Sequence, residues 1–178
     1  FTNSAGIHGP PMAETVVGMI LYFARGLDLA AVGKAGNRWD ASPFYQGDSP
    51  IRELGDSVVG IIGLGGVGGE VAKRALAMGA RVIGLRRDGS ESAAQPDWTA
   101  GVTAESLRVV TGEDGLYGLL GDSHYVVISA PSTPATRGIV SRRALAAMRP
   151  DAVLVNISRG DLVDEDALVD ALRGGRLR

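Results

Sequence analysis

Residues 57–87 read SVVGIIGLGGVGGEVAKRALAMGARVIGLRR. The first part, Val58–Ile62, is almost wholly apolar, which is typical of a parallel strand buried on both faces. Gly79 ends a segment in which apolar residues recur every three or four positions, as in a helix, at Val67, Val71, Ala75 and Met78. Arg81–Leu85 has the composition of a second strand. The stretch therefore predicts strand, glycine turn, helix and strand.

The turn between the first strand and the helix has the spacing G-x-G-x-x-G, in the order Gly63, Leu64, Gly65, Gly66, Val67, Gly68. In this context Gly63 permits the tight turn, Gly65 lets the backbone approach a pyrophosphate, and Gly68 lets helix and strand pack closely. The helix N-terminus offers free N–H groups and a positive dipole end to phosphates. We predict a dinucleotide site, the alternative being a glycine-rich turn without a ligand.

Arginine occupies the position that selects between the two nicotinamide cofactors. An acidic residue near the end of the second strand usually bonds the ribose hydroxyls, but here the chain has Arg86 followed by Arg87. A guanidinium pairs with a 2′-phosphate, often bidentately. We therefore predict NADP(H) over NAD(H). In the alternative interpretation both arginines lie on a solvated loop and Asp88 takes the acidic role.

The composition excludes several classes of protein. The chain has 178 residues, a formal net charge of −2 and no cysteine. This charge gives no sign of nucleic-acid or membrane-surface binding, and the lack of cysteine excludes disulfides, thiolate metal sites and a cysteine nucleophile. We expect no metal site. No signal peptide is visible and the longest apolar stretch is too short to span a bilayer, so we expect a cytoplasmic protein.

Helix and strand patterns alternate along the rest of the chain. Further strands are predicted at 107–110, 125–129 and 152–157, and helices at 115–120, from Ser141 to Met148, and after Asp164. This alternation is typical of an α/β protein with a doubly wound parallel sheet, a Rossmann-type dinucleotide-binding domain. We assign residues 1–178 to one such domain, with the βαβ core at 51–178.

Residues 1–50 precede this core. Pro10 and Pro11 mark the start of a helix, whose broad apolar stripe comprises Met12, Val16, Met19, Ile20, Phe23 and Leu27. Gly33–Pro50 has the composition of a loop and carries Trp39, Phe44 and Tyr45. These aromatic residues predict either a subunit contact or local packing over the loop, so this segment is a candidate dimer element.

Ligands of doubly wound sheets bind beyond the carboxyl ends of the strands. Three predicted loops lie there: Gly63–Gly68, Ala130–Thr136 and Asn156–Gly160. The third delivers Arg159 on a short turn, where a guanidinium can bind a substrate carboxylate and polarise a carbonyl. The alternatives for Arg159 are a surface position and a bond to cofactor phosphate.

Two features are missing from the pattern. We count five strands where a full dinucleotide fold has six, so the sheet is predicted to stop before its last strand. His8 and His124 are the only histidines; the first precedes the first helix, and the second is predicted at the end of a strand opposite the ligand edge. We expect both to be structural.

Four stretches resemble the cofactor domain of the D-isomer-specific 2-hydroxyacid dehydrogenases, in that family's order and spacing. They are TNSAGIHGPPMAETVVGMILYFAR, VGIIGLGGVGGEVAKR, SAPSTPATRGIV and VLVNISRGDLVDEDALVDALRGGRL. The resemblance covers nearly the whole chain, and the last stretch is the most specific.

The resemblance implies roles for individual residues. The arginine of the family's NxxRG segment, which binds substrate carboxylate and carbonyl, corresponds to Arg159. The implied cofactor contacts are Gly66, Val67, Ala130, Pro131, Ile157 and Ser158, with Thr136 at the end of the same loop as Ala130. Gly66 stands where arginine is frequent, and Arg86 stands where many members have aspartate, as in members resembling the NADPH-dependent glyoxylate and hydroxypyruvate reductases.

The implied reaction is hydride transfer between NAD(P)H and a small 2-oxo or 2-hydroxy acid, in a homodimer. The family's catalytic histidine and its partner glutamate correspond to positions beyond Arg178, and most of the substrate domain is absent, so we expect the 178 residues alone to be inactive. The alternatives are a dinucleotide-sensing corepressor-like protein and a formate or phosphite dehydrogenase of the same superfamily. A methyltransferase would leave the glycine spacing and Arg159 unexplained.

Overall fold

The computed structural model describes residues 7–45, 49, 51–87, 99 and 102–178. Within these residues there are five strands: β1 Val58–Ile62, β2 Arg81–Arg86, β3 Leu107–Thr111, β4 Tyr125–Ile128 and β5 Val153–Asn156. They form one sheet in the order β3-β2-β1-β4-β5, and every neighbouring pair is parallel. The predicted α/β fold with a doubly wound parallel sheet is confirmed.

Seven α-helices are present in the described residues. They are α1 Gly9–Ala24, α2 Leu27–Ala35, α3 Ser42–Tyr45, α4 Gly66–Ala77, α5 Gly112–Asp122, α6 Arg142–Ala147 and α7 Glu165–Arg173. Two predicted caps are confirmed: the side chain of Ser141 accepts a hydrogen bond from the N–H of Ala144, and that of Asp164 from the N–H of Ala167. Such caps satisfy N–H groups that the first helical turn leaves unpaired.

The sheet separates two apolar cores, one on each face. Alternate residues of β1 point to opposite sides, so Val59 and Ile61 pack with α1 and α4, whereas Val58 and Ile62 pack with α5, α6 and α7. All of β1 is buried. Burial on both faces explains its unbroken apolar sequence, because neither face of the strand meets water.

The N-terminal region differs from the sequence prediction. The first helix ends at Ala24, not at Leu27, and α2 covers the start of the segment that was predicted as a loop. The break between the two helices lies at Gly26, whose φ of 68° is left-handed. Glycine adopts this conformation without strain. The predicted stripe is also only partly buried, since Met19 and Leu27 are exposed and the buried face of α1 is Gly9, Ala13, Val16, Ile20 and Ala24.

α1 and α2 meet at an angle of 70°. No single helix in the described part of the chain is long and apolar enough to cross a membrane. The bent pair has the required length and composition only when both helices are taken together.

The outer edge of β5 carries no further strand within the described residues. An open groove of about 420 Å³ runs beside it, lined on its apolar side by Leu154, Leu168 and Leu172. At its end the N–H of Arg178 donates to the carbonyl of Ala152, at 3.0 Å. A sixth strand at this edge stays a prediction.

His124 lies at the amino end of β4, opposite the ligand edge, as predicted. Its Nδ1 accepts a hydrogen bond from the N–H of Val58 at 3.0 Å, so it connects the start of β1 to the start of β4. Burial lowers the pKa of this imidazole, and the nearby guanidinium groups of Arg52 and Arg149 lower it further. A protonated Nδ1 cannot accept this bond.

We expect His124 to make stability depend on pH. Because its pKa is lower in the folded chain, the unfolded chain binds the proton first, and the free energy of unfolding falls as the pH drops from the ordinary value of about 6.5 through the folded pKa. The slope from this one group is at most about 1.4 kcal/mol per pH unit. Urea unfolding followed by circular dichroism at pH 5.0–7.5 measures it.

His124→Asn provides the control, because its amide oxygen can accept the bond from Val58 and does not titrate. The difference in unfolding free energy between wild type and variant should shrink as the pH falls. A difference that is constant over this range would show that the pKa of His124 is the same in the folded and the unfolded chain.

Candidate functional site

Three loops meet at the carboxyl ends of the strands, where the strand order places β1 next to β4. The glycine turn follows β1, a second loop follows β4, and the arginine loop follows β5. In doubly wound sheets the chain order reverses at such a switch point, which opens a crevice for a ligand. All three predicted loops therefore lie at one edge of the sheet.

Two glycines of the turn are required by its geometry. Gly63 has a φ of 98°, and a Cβ there would lie 2.6 Å from the backbone nitrogen of Ala130. A Cβ on Gly68 would lie 2.1 Å from the carbonyl oxygen of Gly63, closer than any allowed contact. The roles predicted for these two positions, a tight turn and close packing of helix on strand, are confirmed.

The other two glycines leave open space over the N-terminus of α4. A Cβ on Gly65 or Gly66 would meet no atom within 4 Å, and both residues are exposed. The first N–H groups of a helix have no partner within it and carry a partial positive charge. Open space above such groups fits the pyrophosphate of a dinucleotide, so the residues present are compatible with that cofactor.

Ser129 and Ser158 join the three loops through their hydroxyl groups. Ser129 Oγ donates to the carbonyl of Gly63 at 2.6 Å, which ties the end of β4 to the glycine turn. Ser158 Oγ donates to the carbonyl of Ala130, which ties the arginine loop to the loop after β4. The edge is therefore one connected surface.

Arg159 is exposed at this edge, on a loop that Asn156 braces. The side-chain oxygen of Asn156 accepts from the N–H of Ser158 at 2.9 Å, and its amide nitrogen donates to the carbonyl of Arg159 at 2.8 Å. The guanidinium of Arg159 donates only to the carbonyl of Ser158 among the described residues, at 3.0 Å. Most of its five donors are therefore available to an anion.

Arg86 and Arg87 lie at the opposite end of the crevice. Arg86 ends β2 beside Thr111 of β3, and the carbonyl of Leu85 accepts from the N–H of Gly63 at 3.0 Å, so the arginines directly adjoin the glycine turn. Within the described residues no carboxylate forms an ion pair with Arg86. Asp88, the alternative ribose partner, lies outside the described residues.

The remaining predicted cofactor contacts differ in exposure. Pro131 is exposed, Val67 and Ile157 are half-buried, and Ala130 is buried. The hydroxyl of Thr136 donates to the carbonyl of Pro131 at 2.6 Å and accepts from the N–H of Thr133 at 2.8 Å. Its hydrogen bonds therefore lie within its own loop. These contacts stay predictions.

The sequence prediction missed three residues that hold the site together. Asn156 has a local signal, since Asn commonly bonds the N–H two residues onward. Ser129 and Asp161 have none, because their partners Gly63 and Ser132 lie 66 and 29 positions away.

Comparisons with known proteins agree with this geometry. The family model of the D-isomer specific 2-hydroxyacid dehydrogenase, NAD binding domain, matches residues 17–178. The D-3-phosphoglycerate dehydrogenase of Methanocaldococcus jannaschii is 34% identical over 94% of this chain and 29% of its own length. The hydroxypyruvate reductase of Thermotoga maritima is 30% identical over 98% and 51%.

A solved structure has the same fold. It is a D-isomer specific 2-hydroxyacid dehydrogenase from Xanthobacter autotrophicus Py2 in complex with NADPH and MES, with a TM-score of 0.77 and 30% identity over 93% of this chain and 61% of that one. The chain spans about half, or less, of the length of the curated relatives it matches. By its fold, its glycine turn and the family match over residues 17–178, the chain belongs to the D-isomer specific 2-hydroxyacid dehydrogenases and contains their NAD-binding domain.

Proposed function

We propose that the full-length protein transfers a hydride between NADPH and a small 2-oxo acid such as glyoxylate or hydroxypyruvate. The observation that carries the proposal is the exposed arginine on a braced loop at the same sheet edge as an open glycine turn. A dehydrogenase that uses a nicotinamide cofactor needs both a dinucleotide site and an anchor for the substrate. The crevice between β1 and β4 offers the first, and Arg159 offers the second.

The dimensions of the crevice suit an extended dinucleotide. The ends of β2 and β5 are three strand spacings apart, about 14 Å. Arg86 and Arg87 lie at the β2 end, and Arg159 lies at the β5 end. We place the adenosine half by the first pair, the pyrophosphate over Gly65 and Gly66, and the nicotinamide toward Arg159.

The reduced nicotinamide supplies the hydride when it is bound. The chain's own contribution is to hold the substrate: two N–H groups of Arg159 bind its carboxylate, and the positive charge stabilises the negative charge that develops on its carbonyl oxygen. Proton transfer needs a general acid. His124 lies at the amino edge of the sheet, where it bonds the start of β1. We assign proton transfer to the family's histidine and glutamate, which the resemblance places beyond Arg178.

The test is the oxidation of NADPH by the full-length protein, followed at 340 nm with glyoxylate and with hydroxypyruvate. Turnover with either acid is the expected result. Cofactor binding without turnover would favour the corepressor-like alternative, and NAD⁺ reduction with formate or phosphite but no reduction of oxo acids would favour that branch of the superfamily. The 178 residues alone should bind NADPH and show no turnover.

The cofactor preference rests on Arg86. Replacing it with aspartate removes a charge-assisted bond to the 2′-phosphate and adds repulsion, so the affinity for NADPH should fall by roughly ten- to a hundredfold, or about 1.5–3 kcal/mol, while NADH binding improves. Fluorescence titration of both cofactors measures this. The matched control is Arg81→Asp at the other end of the same strand, which should leave both affinities unchanged. Equal binding of NADH and NADPH by the wild-type protein would contradict the prediction.

We also propose a homodimer through the N-terminal helices. Large apolar side chains are exposed here, with Val32 64%, Trp39 96% and Tyr45 86% accessible, and interfaces are enriched in aromatic residues. Val32→Asp would bury an unpaired carboxylate at such an interface, so the dimer dissociation constant should rise at least about tenfold.

Sedimentation velocity of the full-length protein measures this constant. Val109→Asp is the matched control, because Val109 is also exposed, at 48%, but lies on the edge strand β3. A monomeric wild type, or equal effects of the two substitutions, would contradict the proposed interface.

A further inference from the structure

Asp161 joins the arginine loop to the loop after β4. Its Oδ2 accepts a hydrogen bond from Ser132 Oγ at 2.6 Å and lies 3.4 Å from Nε of Arg137. We call these three residues the loop clamp. A second hydrogen bond, from Ser158 Oγ to the carbonyl of Ala130, joins the same two loops on the other side of Arg159.

The loop after β4 is internally closed. The hydroxyl of Thr136 donates to the carbonyl of Pro131 and accepts from the N–H of Thr133. The N–H of Thr136 donates to the carbonyl of Thr133 at 3.0 Å. These bonds restrict the conformations that residues 131–136 can adopt. A ligand that contacts Ala130 or Pro131 therefore also restrains Ser132 and, through its hydrogen bond, Asp161.

Below the clamp the two segments are fixed in the core. The N–H of Gly138 donates to the carbonyl of Asp161 at 2.9 Å, and that of Val140 to the carbonyl of Leu162 at 3.0 Å. The side chains of Val140 and Leu162 are fully buried. These bonds fix the base of the two segments, and the clamp lies between that base and the predicted cofactor and substrate contacts.

We propose that Asp161 is a positioning residue that couples cofactor binding to the orientation of Arg159. A dinucleotide held against Ala130 and Pro131 fixes the loop after β4, and the clamp then fixes the arginine loop two residues from Arg159. Exposed ion pairs contribute little to folding stability, so we expect removal of the Asp161 carboxylate to leave the fold intact. The inference rests on the proposed function.

Oxalate serves as the probe, since its second carboxylate occupies the place of the carbonyl group of a 2-oxo acid and is not reduced. Its dissociation constant is measured by calorimetry on the full-length protein with and without saturating NADPH. In the wild type NADPH should tighten oxalate binding, and Asp161→Ala should reduce this ratio at least fivefold. The affinity for NADPH alone should change less than twofold. Reciprocity requires the same loss in the effect of oxalate on NADPH.

Asp170→Ala is the matched control, because Asp170 also forms an exposed ion pair, with Arg142 at 2.9 Å, away from both loops. It should leave the ratio unchanged. Asp161→Asn keeps an acceptor for Ser132 and should restore part of the coupling, while Ser132→Ala should lose part of it, so the result does not depend on one variant folding.

An unchanged ratio in both Asp161→Ala and Ser132→Ala would overturn the coupling. A wild-type protein whose oxalate affinity is the same with and without NADPH would overturn it too, yet leave the proposed function standing if glyoxylate is reduced. Failure of the function itself is distinguished by the absence of turnover with every oxo acid.

Discussion

Arg159→Ala in the full-length protein will lower kcat/KM for glyoxylate by roughly a hundred- to a thousandfold, the range found when a donor to developing negative charge is removed. The guanidinium lies exposed at the ligand edge, and its only described partner is the carbonyl of Ser158. NADPH affinity should change less than about twofold, since the proposed cofactor contacts lie elsewhere. Steady-state kinetics at 340 nm and a fluorescence titration measure both.

Two further variants separate charge from geometry. Arg159→Lys keeps the charge but not the bidentate fork, so it should recover only part of the activity. Arg173→Ala removes an exposed arginine at the end of α7 and should have no effect. If Arg159→Ala retained full activity, or lost NADPH binding in parallel with activity, the assignment to the substrate would be wrong.

Among glycine-to-alanine substitutions in the described part of the chain, Gly68→Ala should lower the free energy of unfolding most. The added methyl group would lie 2.1 Å from the carbonyl oxygen of Gly63 and 2.7 Å from Ser129 Oγ, and a backbone oxygen cannot rotate away as a side chain can. Overpacking costs about 1–3 kcal/mol, occasionally more, and we expect the upper end of this range. Because the displaced atoms form the glycine turn, NADPH affinity should also fall at least about tenfold.

Gly118→Ala is the control for this change. It lies in α5, is exposed, and a Cβ there would meet no atom within 4 Å, so alanine should raise the free energy of unfolding by about 0.5–1 kcal/mol. Urea unfolding of the two variants measures both effects. A Gly68→Ala variant as stable as wild type would show that α4 and β1 are less closely packed than described.

The parts of the fold that local patterns determine were predictable. β1 begins and ends as predicted because burial on both faces leaves an unbroken apolar run. The caps at Ser141 and Asp164 depend only on residues within one helical turn. Gly63 and Gly68 were predictable from a spacing whose steric causes are general.

The features that the sequence did not predict have a physical explanation too. The last residues of α2, Gly33–Ala35, fall in the segment predicted as a loop, because glycine has poor helix propensity. Whether the exposed side chain of Val32 is covered by a second copy of the chain likewise does not follow from the sequence of α2. The loop clamp depends on contacts between residues far apart in sequence, which no local pattern contains.

The central claim, that the carboxyl edge of this sheet binds a nicotinamide dinucleotide, is tested most directly by a crystal structure of the full-length protein grown with NADPH. The account predicts the pyrophosphate over Gly65, within hydrogen-bonding distance of the N–H groups of Gly66 and Val67, with the 2′-phosphate against Arg86 and the nicotinamide near Arg159. A dinucleotide bound at the amino ends of the strands, near His124, or with its phosphates away from the N-terminus of α4, would contradict it.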